Sequence, residues 1–327
     1  MLDVVQKNSR SHRGMRFVMG TFWEIEVGGV LPKEAISAAE AAFKEINRLD
    51  RLLSRFRADS DVGRINAAPS CVRVPVHREV FDLLQLALQH SERTKGAFDI
   101  TLGALSVLWK SAEERGYVPT EEEIREARTR VGADNFVLDP EHFTVTRSKD
   151  GVILDLGAIG KGYAIDRAVG VLKSRGIQEA MINAGGAIHN VTGENGKPHS
   201  TMGIRNPKDP ETILATVDLG NEGISTSGAY ERFYTIGENN YDHIVHREGG
   251  TARQKPLSVS VISKSSTLAD IYSTAMYVAG FDEGKKIFSQ SSGIIGAIFI
   301  TNDEGHGVRI ESLGNIQITE THTAPGI

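Results

Sequence analysis

The stretch Leu154-Asp155-Leu156-Gly157-Ala158-Ile159-Gly160-Lys161-Gly162-Tyr163-Ala164-Ile165-Asp166 organises the reading of the whole chain. Residues 151–156 form a short apolar run and predict a buried strand. A glycine-rich turn follows, then Ile165, Val169 and Leu172 at helical spacing. Glycines let a backbone turn sharply and approach a ligand closely. The amides that open a helix point outward and favour an anion. Lys161 adds a positive charge, and Asp155 stands where the predicted strand ends. A strand, a glycine turn, a lysine and a helix suit a phosphate-bearing ligand, and they equally suit a plain connection. The spacing matches neither the P-loop nor the dinucleotide GxGxxG fingerprint.

Working outward, 327 residues allow one large domain or two ordinary ones. Hydrophobic and charged fractions of 40% and 24% are those of a globular protein. A net charge of -5 without a basic stripe argues against nucleic acid as a partner. Cys71 is the only cysteine, which excludes an intrachain disulfide and a thiolate cluster, and it is read as a small core residue. No run reaches the ~18 apolar residues of a transmembrane segment. The first 16 residues are polar and basic, without the apolar segment of a secretory signal and without a lipid-anchor cysteine. The expected location is therefore the cytoplasm, or the cell envelope if an export segment is missing from this sequence.

Residues 1–14 read as a loosely attached arm. Residues 16–27 predict a strand interrupted at Met19-Gly20-Thr21. Residues 33–56 predict a long amphipathic helix with Ile36, Ala39, Phe43, Ile46 and Leu53 inward. Residues 53–68 are polar and loop-like. A second helix is expected over 78–94, stopped by Gly96. Thr120 and Glu123 form a capping box. Residues 135–139 and 143–147 predict a hairpin. Beyond the glycine turn, strands are expected at 180–183, 201–205, 213–218, 230–236, 257–262, 294–300 and 308–311. The 223–228 stretch, Gly-Ile-Ser-Thr-Ser-Gly, lies between two of them. A polar loop is expected over 192–200, turns over 237–240 and 302–305, and a helix over 266–278. Mixed strands and helices without strict alternation favour an α+β fold.

Three constellations could carry chemistry. Asp270 and Thr274 lie one helical turn apart on one face. A carboxylate and a hydroxyl so placed suit Mg²⁺, a hard ion that takes oxygen ligands and keeps waters, and they also suit a solvated helix face. His243, one of ten histidines, follows Tyr241-Asp242 in a turn-to-strand context. It suits a general base or a packed surface position. His246, three residues on along the same expected strand, would splay to the opposite face and is read as structural. Ser225-Thr226-Ser227 between glycines suits phosphate or ribose contacts, or a tight turn.

Taken together, the segments resemble one family closely: the ApbE family of FAD:protein FMN transferases. The blocks that carry the resemblance are Met19-Gly20-Thr21, residues 53–66 (LSRFRADSDVGRIN), 96–103 (GAFDITLG), 155–166 (DLGAIGKGYAID), 223–230 with 241–244, and 269–280 (ADIYSTAMYVAG). They span residues 16 to 311. The resemblance implies an α+β, two-lobed, tandem T-fold-like architecture with the site between the lobes. It implies an arm over residues 1–15, one domain over 16–320 and a tail over 321–327. It also implies an enzyme that binds FAD as substrate and Mg²⁺ as cofactor. Such an enzyme splits the pyrophosphate, releases AMP and joins FMN through a phosphoester to a threonine or serine of an acceptor flavoprotein. On this resemblance Met19, Phe56, Ala97, Phe98, Asp99, Asp155 and Lys161 contact FAD. Ala158 (through its carbonyl), Asp270 and Thr274 hold the metal, and His243 is the base. Three departures stand out. Phe56 replaces a frequent tyrosine, and Ala187 follows Gly185-Gly186 where an acid is common. Val245-His246-Arg247-Glu248-Gly249 replaces the usual continuation after His243-Ile244. The last leaves open a Mg²⁺-dependent FAD pyrophosphatase yielding FMN and AMP. A flavin-binding protein without turnover is the alternative of another class, and intact Asp270, Thr274 and His243 count against it.

Overall fold

A computed structural model describes residues 3–4, 11–193, 200–228, 233–248, 256–303 and 307–321. Its centre is an antiparallel eight-stranded sheet. Across the sheet the strands run Gly307–Gly314, Ile294–Asp303, Ser258–Ser263, Glu222–Gly228, Ala187–Thr192, Glu179–Ala184, Thr21–Gly28 and His12–Val18. The order divides into two halves of related topology. In the first, a hairpin (His12–Val18 with Thr21–Gly28) is followed by helices Pro32–Leu53 and Gly160–Ser174 and then a second hairpin (Glu179–Ala184 with Ala187–Thr192). In the second, paired strands Glu222–Gly228 and Ser258–Ser263 precede helix Ser266–Gln290. That helix breaks at Gly280, whose φ is 77°, and the hairpin Ile294–Asp303 with Gly307–Gly314 closes the half. The halves join where Ala187–Thr192 pairs with Glu222–Gly228. The α+β, two-lobed expectation is borne out.

The sheet's two faces bury different layers. The helices cover one face over a large core that includes Trp23, Ile25, Phe43, Ile46, Ile165 and Ile271. A four-stranded sheet of Asp3–Val4, Ser200–Asn206, Asp209–Leu219 and Ile318–Glu320 lies beyond the other face. Met202, Ile204 and Val217 from that sheet pack with Met181, Ile188, Ile224 and Ile298. Asp3–Val4 and His12–Val18 both begin within the segment read as an arm. A long insertion between the first two helices of the first half carries helices Asp61–Ala67, Arg78–Arg93, Gly103–Arg115 and Glu121–Arg128. It also carries a three-stranded sheet of Arg73–Pro75, Thr144–Arg147 and Phe136–Asp139. Among the described residues no helix is long and apolar enough to cross a membrane.

Several local expectations change for physical reasons. Ala39, Phe43, Ile46 and Leu53 are inward as expected, but Ile36 is 45% exposed and Ala35, Ala38 and Ala42 complete the buried stripe. Small side chains there let the helix lie close to its neighbours. Cys71 is exposed, in a turn with φ 63°, not in the core. The loop-like 53–68 contains a helix, Asp61–Ala67, whose first turn is capped by Ser60 Oγ accepting from Gly63 N at 2.8 Å. Gly103–Arg115, for which no helix is expected, is one. Residues 151–156 join no sheet, although Val152, Leu154 and Leu156 are buried. Asn66 stands in for a neighbouring strand there, accepting from Leu154 N at 2.8 Å and donating to Leu154 O at 2.9 Å. The 223–228 stretch is a central strand, not a turn. Tyr230, Gly249, Glu304-Gly305, residues 194–199 of the polar loop and residues 322–327 of the tail lie outside the described residues.

Candidate active site

The glycine turn is held by its own short-range bonds. Asp155 Oδ1 accepts from Gly157 N at 2.9 Å, and Leu156 O accepts from Gly160 N at 2.8 Å as the helix begins. Asp155 also pairs with Arg55 Nε at 3.1 Å, and the Arg55 guanidinium lies 4.4 Å from the Phe56 ring centroid. Phe56 itself is 83% exposed, an aromatic face offered to solvent beside the turn. On the hairpin that opens the sheet, Met19 adopts a left-handed φ of 51°. Its Cε lies 3.6 Å from where a Cβ on Gly160 would stand. Met19, Phe56, Asp155 and Lys161 therefore surround one loop, although 142 residues separate Met19 from Lys161 in the chain.

Below the turn, helix Ser266–Gln290 brings Asp270 and Thr274. Asp270 is 3% exposed, and its Oδ2 accepts from Gly162 N at 3.0 Å. Its Oδ1 accepts from Ser225 Oγ at 3.2 Å and lies 3.7 Å from Lys161 Nζ. Thr274 Oγ1 is 3.3 Å from Ser227 Oγ. Ser225 and Ser227 alternate onto one face of their strand, so the strand braces both helix residues while Ile224 turns to the opposite layer. A strand assignment for 223–228 was the signal needed to see this bracing, and it depends on pairing with 187–190 and 258–263.

The 96–101 segment meets the turn where Asp155 N donates to Ile100 O at 2.8 Å. Ala97 is half-buried behind the left-handed pair Lys95-Gly96. Phe98 is fully buried in the core, so only its backbone can face a ligand. Asp99 Oδ1 accepts from Thr101 N at 2.8 Å and Thr101 Oγ1 at 2.6 Å. Burial pushes the Asp99 carboxyl above its usual range, against the Thr101 hydrogen bonds and the Arg247 charge.

His243 follows a strand that ends at Asp242, so the expected strand does not extend to His246. Ile244 N donates to Asp242 Oδ1 at 2.8 Å and turns the chain there. His243 Nδ1 lies 3.5 Å from Asp242 Oδ1, and Tyr277 OH donates to Asp242 Oδ2 at 2.8 Å. Tyr277 stands one turn beyond Thr274 on the same helix. One helix therefore presents Asp270 and Thr274 and also steadies the acid beside His243. Trp109 stacks near Tyr234 and Tyr241, with centroids 6.3 and 5.3 Å away, and anchors that hairpin to the inserted helix. Arg55, Asp242 and Tyr277 also belong to this site; the Arg55–Asp155 and Tyr277–Asp242 pairs that show it join residues far apart in the chain.

The donor set suits a hard cation. Asp270 and Thr274 supply oxygens from one helix face, and the Ala158 carbonyl belongs to the adjoining turn. Among the described residues no three His, Cys, Asp or Glu side chains gather as a metal cluster. Mg²⁺ needs no such cluster, since it completes its shell with water and substrate phosphate.

A profile of the ApbE family matches residues 19–299. An FAD:protein FMN transferase from Escherichia coli (strain K12) is 29% identical over 294 residues, covering 88% of this chain and 83% of that protein. Another of the same name from Treponema pallidum is 31% identical over 316 residues, covering 90% and 86%. The crystal structure of the ApbE protein from Thermotoga maritima superposes with a TM-score of 0.81 at 31% identity, covering 92% of this chain and 96% of that one. A two-lobed fold with a glycine turn against a carboxylate-bearing helix defines the class of protein. The chain belongs to the ApbE family.

Proposed function

We propose that this chain is an FAD:protein FMN transferase that joins FMN to a threonine or serine hydroxyl of an acceptor flavoprotein and releases AMP. The observation that carries the reading is the meeting of Lys161 and Asp270, 3.7 Å apart, at the start of two helices. That arrangement puts a phosphate-binding cation beside a buried, cation-binding carboxylate. Residues 16–320 act as one catalytic domain. Phe56, Met19, Asp155 and the backbone of Ala97-Phe98-Asp99 form the FAD-binding surface, and Lys161 at the start of its helix serves the pyrophosphate.

Asp270, Thr274 and the Ala158 carbonyl would hold Mg²⁺, which when bound neutralises pyrophosphate charge and makes phosphorus more electrophilic. The acceptor oxygen attacks the FMN phosphorus, a new P–O bond forms, and the bond to AMP breaks. His243 takes the acceptor's proton, which lowers the barrier to attack by a weakly acidic hydroxyl. Asp242 lies beside the His243 ring, 3.5 Å from Nδ1, and orients it. Positioning and charge stabilisation supply most of the acceleration in such transfers.

The Val245-His246-Arg247-Glu248 loop, which departs from the family pattern beside His243, supports a second reading in which water replaces the acceptor. Incubation with FAD and Mg²⁺, with and without an acceptor, separates the readings through AMP release and in-gel flavin fluorescence. Labelled acceptor supports the transferase. AMP without label supports the pyrophosphatase, and neither product supports a flavin binder.

A further inference from the structure

Two carboxylates cross between the helices that frame the site. Asp270 reaches from Ser266–Gln290 to the start of Gly160–Ser174, where Gly162 N donates to it. Asp166 makes the reverse connection. Its Oδ1 accepts from Ser266 N at 2.7 Å. Its Oδ2 accepts from Ser265 Oγ at 2.7 Å, Thr267 N at 3.0 Å and Thr267 Oγ1 at 2.7 Å. Each carboxylate stands four residues beyond the amide of its own helix that the other carboxylate binds, Asp166 after Gly162 and Asp270 after Ser266. The two helix starts thus lie side by side and each holds the other.

Capping alone does not account for Asp166. Helix Ser266–Gln290 has its own N-cap, since Ser265 Oγ accepts from Leu268 N at 3.3 Å. What Asp166 adds is a link between helices that uses both carboxylate oxygens and so resists rotation as well as sliding. Rotation matters here. Each residue turns a helix by about 100°, and Asp270 and Thr274 lie one and two turns beyond Ser266 on a face whose direction decides where their oxygens point. Ser266 is held from the other side as well, with its Oγ 2.8 Å from the Nδ1 of buried His189.

We propose that Asp166 is a positioning residue for the cation site, setting the roll and axial position of the helix that carries Asp270 and Thr274. The inference rests on the cation site described under the proposed function. Outer partners of metal ligands characteristically change metal affinity or activity by about 10–100-fold when removed.

The test uses the whole protein at saturating FAD, with Mn²⁺ as the probe and its free electron paramagnetic resonance signal as the readout. Wild type, Asp166→Asn, Thr267→Val and Asp270→Asn are titrated, and thermal unfolding and FAD affinity in EDTA are measured beside them. Asp166→Asn keeps the side-chain shape but turns an NH₂ toward donors, and should weaken Mn²⁺ binding about 10–100-fold while FAD affinity in EDTA stays that of wild type. Thr267→Val removes one of the four donors without touching the carboxylate, and should weaken Mn²⁺ binding to a lesser degree. It keeps the proposal testable if Asp166→Asn does not fold. Wild-type Mn²⁺ affinity in a folded Asp166→Asn, or in Thr267→Val should the first not fold, overturns the inference and leaves the cation site standing. A lowered melting temperature with unchanged Mn²⁺ binding overturns it too, since that is the mark of a structural bond alone. Wild-type protein that binds no Mn²⁺ overturns the cation site itself, and the inference with it.

Discussion

At the residue scale, two histidines illustrate opposite uses of one side chain. His243 keeps 34% of its side chain exposed beside Asp242, and the proposed function makes it the base. His243→Ala should lower FMN transfer by roughly 10²–10⁴-fold while FAD affinity persists, because a base on the acceptor side does not hold the flavin. Measuring both quantities on one preparation checks this, and near-normal transfer would assign the base elsewhere. His189 is buried with its Nε2 unpartnered, and burial drives its imidazole pKa down to about 4, with the charge of Asp166 opposing the shift less strongly. Its unfolded value is near ~6.5. Between those values the unfolded chain binds the proton and the folded chain does not, so stability rises with pH across that window. The unfolding free energy read from urea titrations should therefore fall as pH drops from ~6.5 toward 4, by up to about 1.4 kcal/mol per pH unit. His189→Asn should flatten that slope, and an unchanged slope would show that another group is responsible.

At the scale of elements, the crossing of the two site helices depends on one glycine. A Cβ on Gly162 would lie 2.2 Å from Ser266 O and 2.8 Å from Asp270 Cβ, and neither group can withdraw without parting the helices. Gly162→Ala should destabilise the protein by roughly 1–3 kcal/mol, in the range of overpacked cores, and should reduce activity beyond what partial unfolding explains. Gly170 on the same helix has nothing within 4 Å of a Cβ. Gly170→Ala should be neutral or stabilising by up to about 1 kcal/mol, since alanine costs less backbone entropy in a helix. Paired thermal melts and transfer assays compare the two variants. For the ligand helix, Asp270→Ala and Thr274→Ala should each lose Mg²⁺-dependent turnover far more than FAD binding, and EDTA should stop the wild-type reaction until Mg²⁺ is restored. Normal turnover by either variant would place the cation elsewhere.

At the scale of the molecule, the eight-stranded sheet separates function from support. The site lies on the helix-covered face, and the four-stranded layer lies beyond the other. Ile204 belongs to that second layer and is 2% exposed. Ile204→Ala should cost about 2–5 kcal/mol of stability, the range for removing a buried aliphatic side chain. The fraction that remains folded should keep its turnover, because the cavity opens on the far side of the sheet. Denaturant midpoints and turnover per folded molecule separate the two effects, and a large fall in turnover at full folding would show that the layers are mechanically coupled.

Local pattern was enough for much of this. The apolar runs at 180–183 and 294–300, the helical spacing of Ile165, Val169 and Leu172, and the capping box at Thr120 are set by side chains within a few residues of one another. The shared helix face of Asp270 and Thr274 was legible for the same reason, the two being one helical turn apart. What the pattern could not contain is where backbone groups find distant partners. Residues 151–156 have the composition of a strand, yet Asn66 takes the bonds a strand would have made. The glycine-flanked serines look like a turn until flanking strands pair with them. Asp242 ends its strand because its own carboxylate, steadied by Tyr277, accepts the Ile244 amide. The sequence by itself determined most of the elements, those with a local period such as Pro32–Leu53 and Arg78–Arg93, and the chemical character of the glycine turn. Only the tertiary structure decided that Lys161, Asp270 and the acids that cross between the two helices meet at one place, because a hydrogen bond depends on distance in space and not on separation along the chain.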